Sequence, residues 1–170
     1  MTRFLAPLLV LAAALTGCAG YTVDGAKPAV LASVKTIAVP MFRNDTLLPR
    51  AEALATSAAA EAFVNDGTYR IGTRDSADAV LEGTVSKIDY AQLRSARLDT
   101  LRPLELQDTV TLTWVLRDAA NPNQVLASGT SSGWSRFFVD SNLQTARNNS
   151  LPDALQRASE AMVSRLANGY

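Results

Sequence analysis

The chain has 170 residues, 48% of them hydrophobic, with 16 basic and 16 acidic side chains, one cysteine and no histidine. That length suits one domain with a real core, and the balanced charge argues against the strongly basic face of a nucleic-acid binder. Lack of histidine removes the usual general base and the commonest metal ligand, and a lone cysteine removes the disulfide framework and thiolate cluster, so no enzyme activity, metal or cofactor is expected.

At the amino terminus, Arg3 precedes an apolar run over residues 4–15 that leads into Leu15-Thr16-Gly17-Cys18. This is the layout of a secretory signal, and the run falls short of the roughly 20 residues of a spanning helix. The tetrapeptide resembles the bacterial lipobox, whose cysteine is acylated with chains such as palmitate and becomes residue one after cleavage. An unpaired exported thiol would be a liability that acylation consumes. The division expected is a signal peptide over 1–17, a lipidated amino terminus and tether over 18–33, and an α/β domain over 34–170. Two or three acyl chains hold a protein on a membrane essentially permanently, because each buried methylene contributes ~0.8 kcal/mol. Ala19 follows the cysteine. An aspartate there commonly retains such lipoproteins at the inner membrane, so its absence resembles a substrate sorted to the outer one.

Val34, Ile37 and Val39 mark a first short strand ending near Phe42. Asn44, Asp45 and Thr46 supply helix-capping chemistry and Pro49 suits a first turn, which predicts a helix over 48–65. Its buried stripe is expected to be Ala51, Leu54, Ala55, Ala58, Ala62 and Phe63. Asn65-Asp66-Gly67 stops it, and residues 69–72 read as the next strand, parallel to the first. Farther on, Leu81 and Val85 share one parity while Ile88 and Tyr90 share the other, which predicts a bulge near Ser86 and Lys87.

A polar, arginine-containing connection is expected next. Val110, Leu112, Trp114 and Leu116 then alternate with Thr109, Thr111, Thr113 and Arg117, the clearest half-buried strand in the chain. Asn121-Pro122-Asn123 turns it back into an antiparallel strand over 125–138. Within that strand Trp134 and Phe138 share the parity of Leu126 and are expected in the core, leaving Phe137 exposed. Ser150 and Asp153 read as N-cap and N3 of a last helix, with Leu151, Leu155, Ala158, Met162 and Leu166 as its stripe and Asn168-Gly169 as its end. The fold class expected is α/β (an α+β sandwich): a four-stranded mixed sheet with two helices on one face, in the order β-α-β-β-β-α.

Gly129-Thr130-Ser131-Ser132-Gly133 fits a nucleophile elbow, but it falls inside a strand of a chain without histidine, and reads instead as a small-residue strand bordering another backbone. Asp75, Asp78 and Glu82 read as a solvated turn. Lys87, Arg94, Arg97 and Arg102 flank Tyr90, Leu93, Leu98 and Leu101, a mixture suited to gripping a phosphate-bearing amphiphile.

The lipobox at Cys18, Gly20-Tyr21 after it, the stretch from Val34 through Ile37-Ala38-Val39-Pro40-Met41-Phe42-Arg43-Asn44, and Ala77-Asp78-Ala79-Val80-Leu81-Glu82-Gly83 together resemble the LptE lipopolysaccharide-assembly lipoproteins. The resemblance implies a non-catalytic outer-membrane lipoprotein, facing the periplasm, that plugs the LptD barrel and helps deliver lipopolysaccharide. Lys87, Arg94, Arg97 and Arg102 would then meet lipopolysaccharide, and Arg43, Asn44 and Phe137 the barrel. The alternative is a periplasm-facing lipoprotein that activates a peptidoglycan synthase. Such regulators use a long tether, whereas Cys18 lies about sixteen residues, ~55 Å extended, from the first strand.

Overall fold

The computed structural model describes residues 27–96, 99–139 and 142–169, and of residues 95–104 only the backbone where it is described. The signal segment, Cys18 and most of the tether lie outside the described residues. A 3-10 turn, Ala29–Leu31, leads into strand β1 (Thr36–Ala38), β2 (Arg43–Asn44), helix α1 (Ala51–Asp66), β3 (Arg70–Ile71), β4 (Ala79–Ala96), β5 (Asp99–Asp118), β6 (Val125–Phe138) and helix α2 (Leu143–Asn168). The sheet runs β3-β1-β4-β5-β6, with β2 also pairing with β4. β1 is parallel to β3 and β4, and β4, β5 and β6 form an antiparallel meander. The α+β class is as expected. The sheet has six strands rather than four: β3 lies where residues 69–72 read as a strand parallel to the first, so the expected strands already numbered five, and β2 is a two-residue pairing too short to leave a period in the sequence.

β5 alternates as its sequence demands, with Val110, Leu112, Trp114 and Leu116 buried. The bulge also falls where parity placed it. Val85 pairs with Leu112 and Lys87 with Thr111, leaving Ser86 unmatched, and the Ser86 hydroxyl donates to the Thr111 carbonyl at 3.0 Å. The extra residue returns Ile88 and Tyr90 to the helix side of the sheet, opposite Val110 and Asp108.

α1 begins at Ala51, not at 48. Arg50, at φ 69°, is its N-cap and makes no side-chain capping bond, so Pro49 lies before the helix. The side chain of Asn44 organises the approach loop instead, accepting from the Thr46 backbone and hydroxyl and donating to the Leu48 carbonyl and Glu52. Ala51, Ala55, Ala58, Ala59, Ala62 and Phe63 are buried, whereas Leu54 is exposed. At 3.6 residues per turn Leu54 sits about 100° round the helix from the centre of that stripe.

α2 has its N-cap at Asn142, eight residues before the expected Ser150. Asn142 caps it by accepting from the Thr145 backbone at 3.1 Å, and Ser150 and Pro152 lie inside it. Pro152 forfeits one backbone bond, but the Ser150 hydroxyl is engaged with the Arg147 carbonyl and Asp108, so its capping chemistry serves tertiary structure. Leu151, Leu155, Ala158, Met162 and Leu166 are buried as a stripe, and Gly169, at φ 76°, closes the helix. Both helices pack into one core with Ile37, Leu81, Val85, Leu112 and Leu116. Leu31 and Val34 join it, so the end of the expected tether is part of the domain. Tyr69 donates to the Leu166 carbonyl at 2.7 Å; burial, followed by the charge of Asp66, pushes its hydroxyl up to about 12.

Candidate functional site

The face of the meander away from the helices is rich in hydroxyls. Thr111 pairs with Ser132 and Thr113 with Thr130; the Thr111 and Ser132 hydroxyls lie 3.4 Å apart, and Thr113 donates to Ser86 at 3.3 Å. Trp134 stands opposite Thr109 on this face, with the guanidinium of Arg136 5.0 Å and that of Arg157 4.9 Å from its ring centroid. Trp134 and Phe138 are therefore exposed and Phe137 is buried, the reverse of the expectation. The cause is local. Leu116 pairs with Ala127 and Arg117 with Val125, so Leu126 is an unmatched residue and every side chain after it changes face. Phe137 packs edge-on against Tyr90 at 6.5 Å, which removes it as a ready contact for a partner.

The basic stretch is not a connection between strands. Of its described residues, Lys87 and Arg94 lie in β4 and Arg102 in β5, which pair antiparallel out to Ala96 and Asp99. Lys87 pairs with Asp89 at 2.7 Å and Arg94 with Glu105 at 3.2 Å. Arg97 lies outside the described residues, and Arg102 is in β5 with its side chain outside the description. Arg43 is exposed on β2, its Nε donating to Thr84 at 3.4 Å, while Asn44 spends its amide within the loop. The acidic turn does local work: Asp78 accepts from the backbones of Lys35 and Thr36 at 2.8 and 2.9 Å, and these bonds hold its carboxyl below the usual range. The Gly129–Gly133 pattern lies within β6, as expected.

On the helix side, a cleft of about 590 Å³ opens between the loop leading into α1, the bulged part of β4 and the first turns of α2. Leu47, Leu48, Pro49, Ile88 and Tyr90 give it apolar walls, and Arg147 reaches into it with its guanidinium 4.3 Å from the Tyr90 ring centroid. Behind Tyr90 lies Asp108, fully buried. One of its oxygens accepts from the Ser135 backbone at 3.0 Å and the other from the Ser150 hydroxyl at 2.9 Å. Burial raises its carboxyl above the usual range despite those bonds, and burial likewise raises the Tyr90 hydroxyl, partly offset by Arg147.

A family model described as LptE, lipopolysaccharide assembly, matches residues 34–168. The chain belongs to the LptE family. No curated protein matches its sequence. Among solved structures, the hypothetical protein CT253 from Chlamydia trachomatis is 9% identical with a TM-score of 0.54, covering 77% of this chain and 94% of its own. Protein XCC0632 from Xanthomonas campestris is 15% identical with a TM-score of 0.51, covering 80% and 86%. A minor lipoprotein from Acinetobacter baumannii is 9% identical with a TM-score of 0.50, covering 78% and 92%. At such identities these likenesses speak to the fold alone.

Reading the sequence of this LptE-family chain missed Arg147 and Asp108. Arg147 lies in the polar segment Gln144-Thr145-Ala146-Arg147-Asn148-Asn149, which carries no apolar period to announce a helix. Asp108 immediately precedes the threonine-rich stretch of β5 and is not among the candidates the sequence singles out. Its only sequence signal is its even parity with Val110 and Leu112.

Proposed function

We propose that this LptE-family chain is a non-catalytic outer-membrane lipoprotein, cut before Cys18 and acylated there, that seats as a plug in a large LptD-like barrel and assists lipopolysaccharide delivery. The observation that carries this reading is the family match across residues 34–168. The hydroxyl-rich open face supports it, because a plug must present polar surface to a polar lumen. So does the tether. Leu31 is already in the core, so at most about 13 residues, ~45 Å extended, separate it from Cys18, which favours work close to the membrane.

Gentle detergent extraction is expected to recover the protein with a large outer-membrane barrel; recovery with a peptidoglycan synthase instead would overturn the plug reading. Cys18→Ala is expected to move the protein out of the membrane fraction, and an unmodified cysteine by mass spectrometry in the parent protein would remove the anchor.

Within this reading Lys87, Arg94, Arg97 and Arg102 remain the proposed lipopolysaccharide contacts, with Lys87 and Arg94 on β4 and Arg102 on β5. Replacing Arg94, Arg97 and Arg102 together with glutamine is expected to weaken lipopolysaccharide binding several-fold, with the melting temperature followed in parallel because Arg94 is the ion-pair partner of the largely buried Glu105. Unchanged binding by the triple variant would leave the hairpin without a role in lipid contact.

A further inference from the structure

We propose that the cleft between the Asp45–Pro49 loop, β4 and α2 is a binding site for a single-chain amphiphile with a carboxylate head, a fatty acid, whose head group is held by Arg147. The volume of about 590 Å³ lies within the range of small-molecule sites. Leu48, Pro49, Ile88 and the Tyr90 ring supply an apolar lining. A second groove lined by Leu48, Pro49, Leu54 and Leu151 adjoins the cleft at Leu48 and Pro49, and gives an acyl tail somewhere to run. Leu47 is fully exposed at the rim, an apolar side chain with nothing to cover in the free protein.

The head group follows from charge. Four ionisable side chains besides Tyr90 line the cleft: Asp45, Lys87, Asp89 and Arg147. Lys87 and Asp89 neutralise each other at 2.7 Å, and Asp45 is exposed. Among the described residues Arg147 has no carboxylate partner, and its Nε is buried without a hydrogen-bond partner. The nearby buried carboxylate, Asp108, already accepts from Ser135 and Ser150. A buried N–H of a guanidinium left unsatisfied is costly, and a planar carboxylate offers two oxygens in the geometry of the Arg fork. One uncompensated cation matches one negative charge, whereas a phosphate monoester carries up to two. That balance favours a carboxylate over a phosphorylated head.

The test is equilibrium dialysis of radiolabelled tetradecanoate against the full chain held in nanodiscs, with empty nanodiscs subtracted. Saturable binding is expected, weakened at least tenfold in Arg147→Gln, less in Arg147→Lys, and about threefold in Leu47→Ser, whose exposed position leaves folding untouched. Tetradecyl phosphate and tetradecyltrimethylammonium are run as competitors. Equal binding of tetradecanoate by the parent and Arg147→Gln proteins, tighter binding of the phosphate than of the carboxylate, or displacement by the cationic amphiphile would each overturn the proposal. None of these outcomes depends on whether a barrel co-purifies, so failure here and failure of the plug reading are separable.

Discussion

Gly133→Val is expected to lower stability by about 3 kcal/mol or more, the upper range for overpacking a close contact, and to move the melting temperature down by roughly 10 °C. A Cβ built on Gly133 would run into the Ala154 carbonyl oxygen and the Ala158 backbone nitrogen of α2. These are main-chain atoms of a packed helix, so no rotamer change relieves the clash. The whole of α2 must lift from β6, and Leu155, Ala158 and Met162 lift with it out of the core. Gly129 provides the contrast. A Cβ there would meet the edge of the Trp114 ring at 2.6 Å, and a ring can turn slightly about its own torsions where a helix backbone cannot. Gly129→Ala is therefore expected to cost about 1 kcal/mol, well below Gly133→Ala, in parallel urea titrations. Similar losses at the two glycines would show that α2 does not rest on the backbone at Gly133. The Gly-x-Ser-x-Gly pattern thus has packing reasons, with Gly133 against the α2 backbone, Gly129 against the Trp114 ring and Ser131 accepting from the Trp114 indole N–H.

The elements that could be read from the sequence are those whose period survives undisturbed. β5 keeps strict alternation for eight residues, and the parity change in β4 announces its bulge because Leu81, Val85, Ile88 and Tyr90 are all large and apolar. β6 has the same kind of irregularity at Leu126, but the residues that follow it on the buried face before Phe137 are Ser131, Gly133 and Ser135. Small residues chosen for close helix approach carry no hydrophobic signal, so the change of face was invisible and Trp134 and Phe138 were placed on the wrong side. The residues of α2 before Leu151 were missed for a related reason: none of them is a buried apolar side chain, so nothing marks their period. Of the candidate site, the basic residues of the hairpin were legible as charges, but not their pairing with Asp89 and Glu105. The Arg147–Tyr90 contact joins segments 57 positions apart in sequence, and only the folded sheet brings them together.

Asp108→Asn is expected to remove a pH dependence of stability that the parent protein carries. Burial raises the Asp108 carboxyl in the folded state, so the folded protein holds a proton there more tightly than the unfolded chain does. Stability from this group is therefore greatest below the ordinary aspartate value of about 4 and declines as pH rises towards the raised folded value. Asp78 slopes the other way. Its carboxyl is held low by the Lys35 and Thr36 backbones, so its contribution is present above the ordinary value and is lost as pH falls through the folded one. Subtracting the Asp108→Asn profile from the parent profile cancels Asp78 and leaves Asp108. Asparagine keeps an acceptor for the Ser135 backbone and a polar partner for Ser150 without a buried charge, so the variant should be at least as stable as the parent at pH 7. Asp108→Ala should instead lose about 2 kcal/mol, because the Ser135 N–H and the Ser150 hydroxyl are left buried without that acceptor. Urea titrations from pH 4 to 8 separate these outcomes. Superimposable profiles for the parent and Asp108→Asn would mean that this carboxylate does not titrate on folding. A neutral Asp108→Ala would mean that α2 does not depend on it for its seat on β5 and β6.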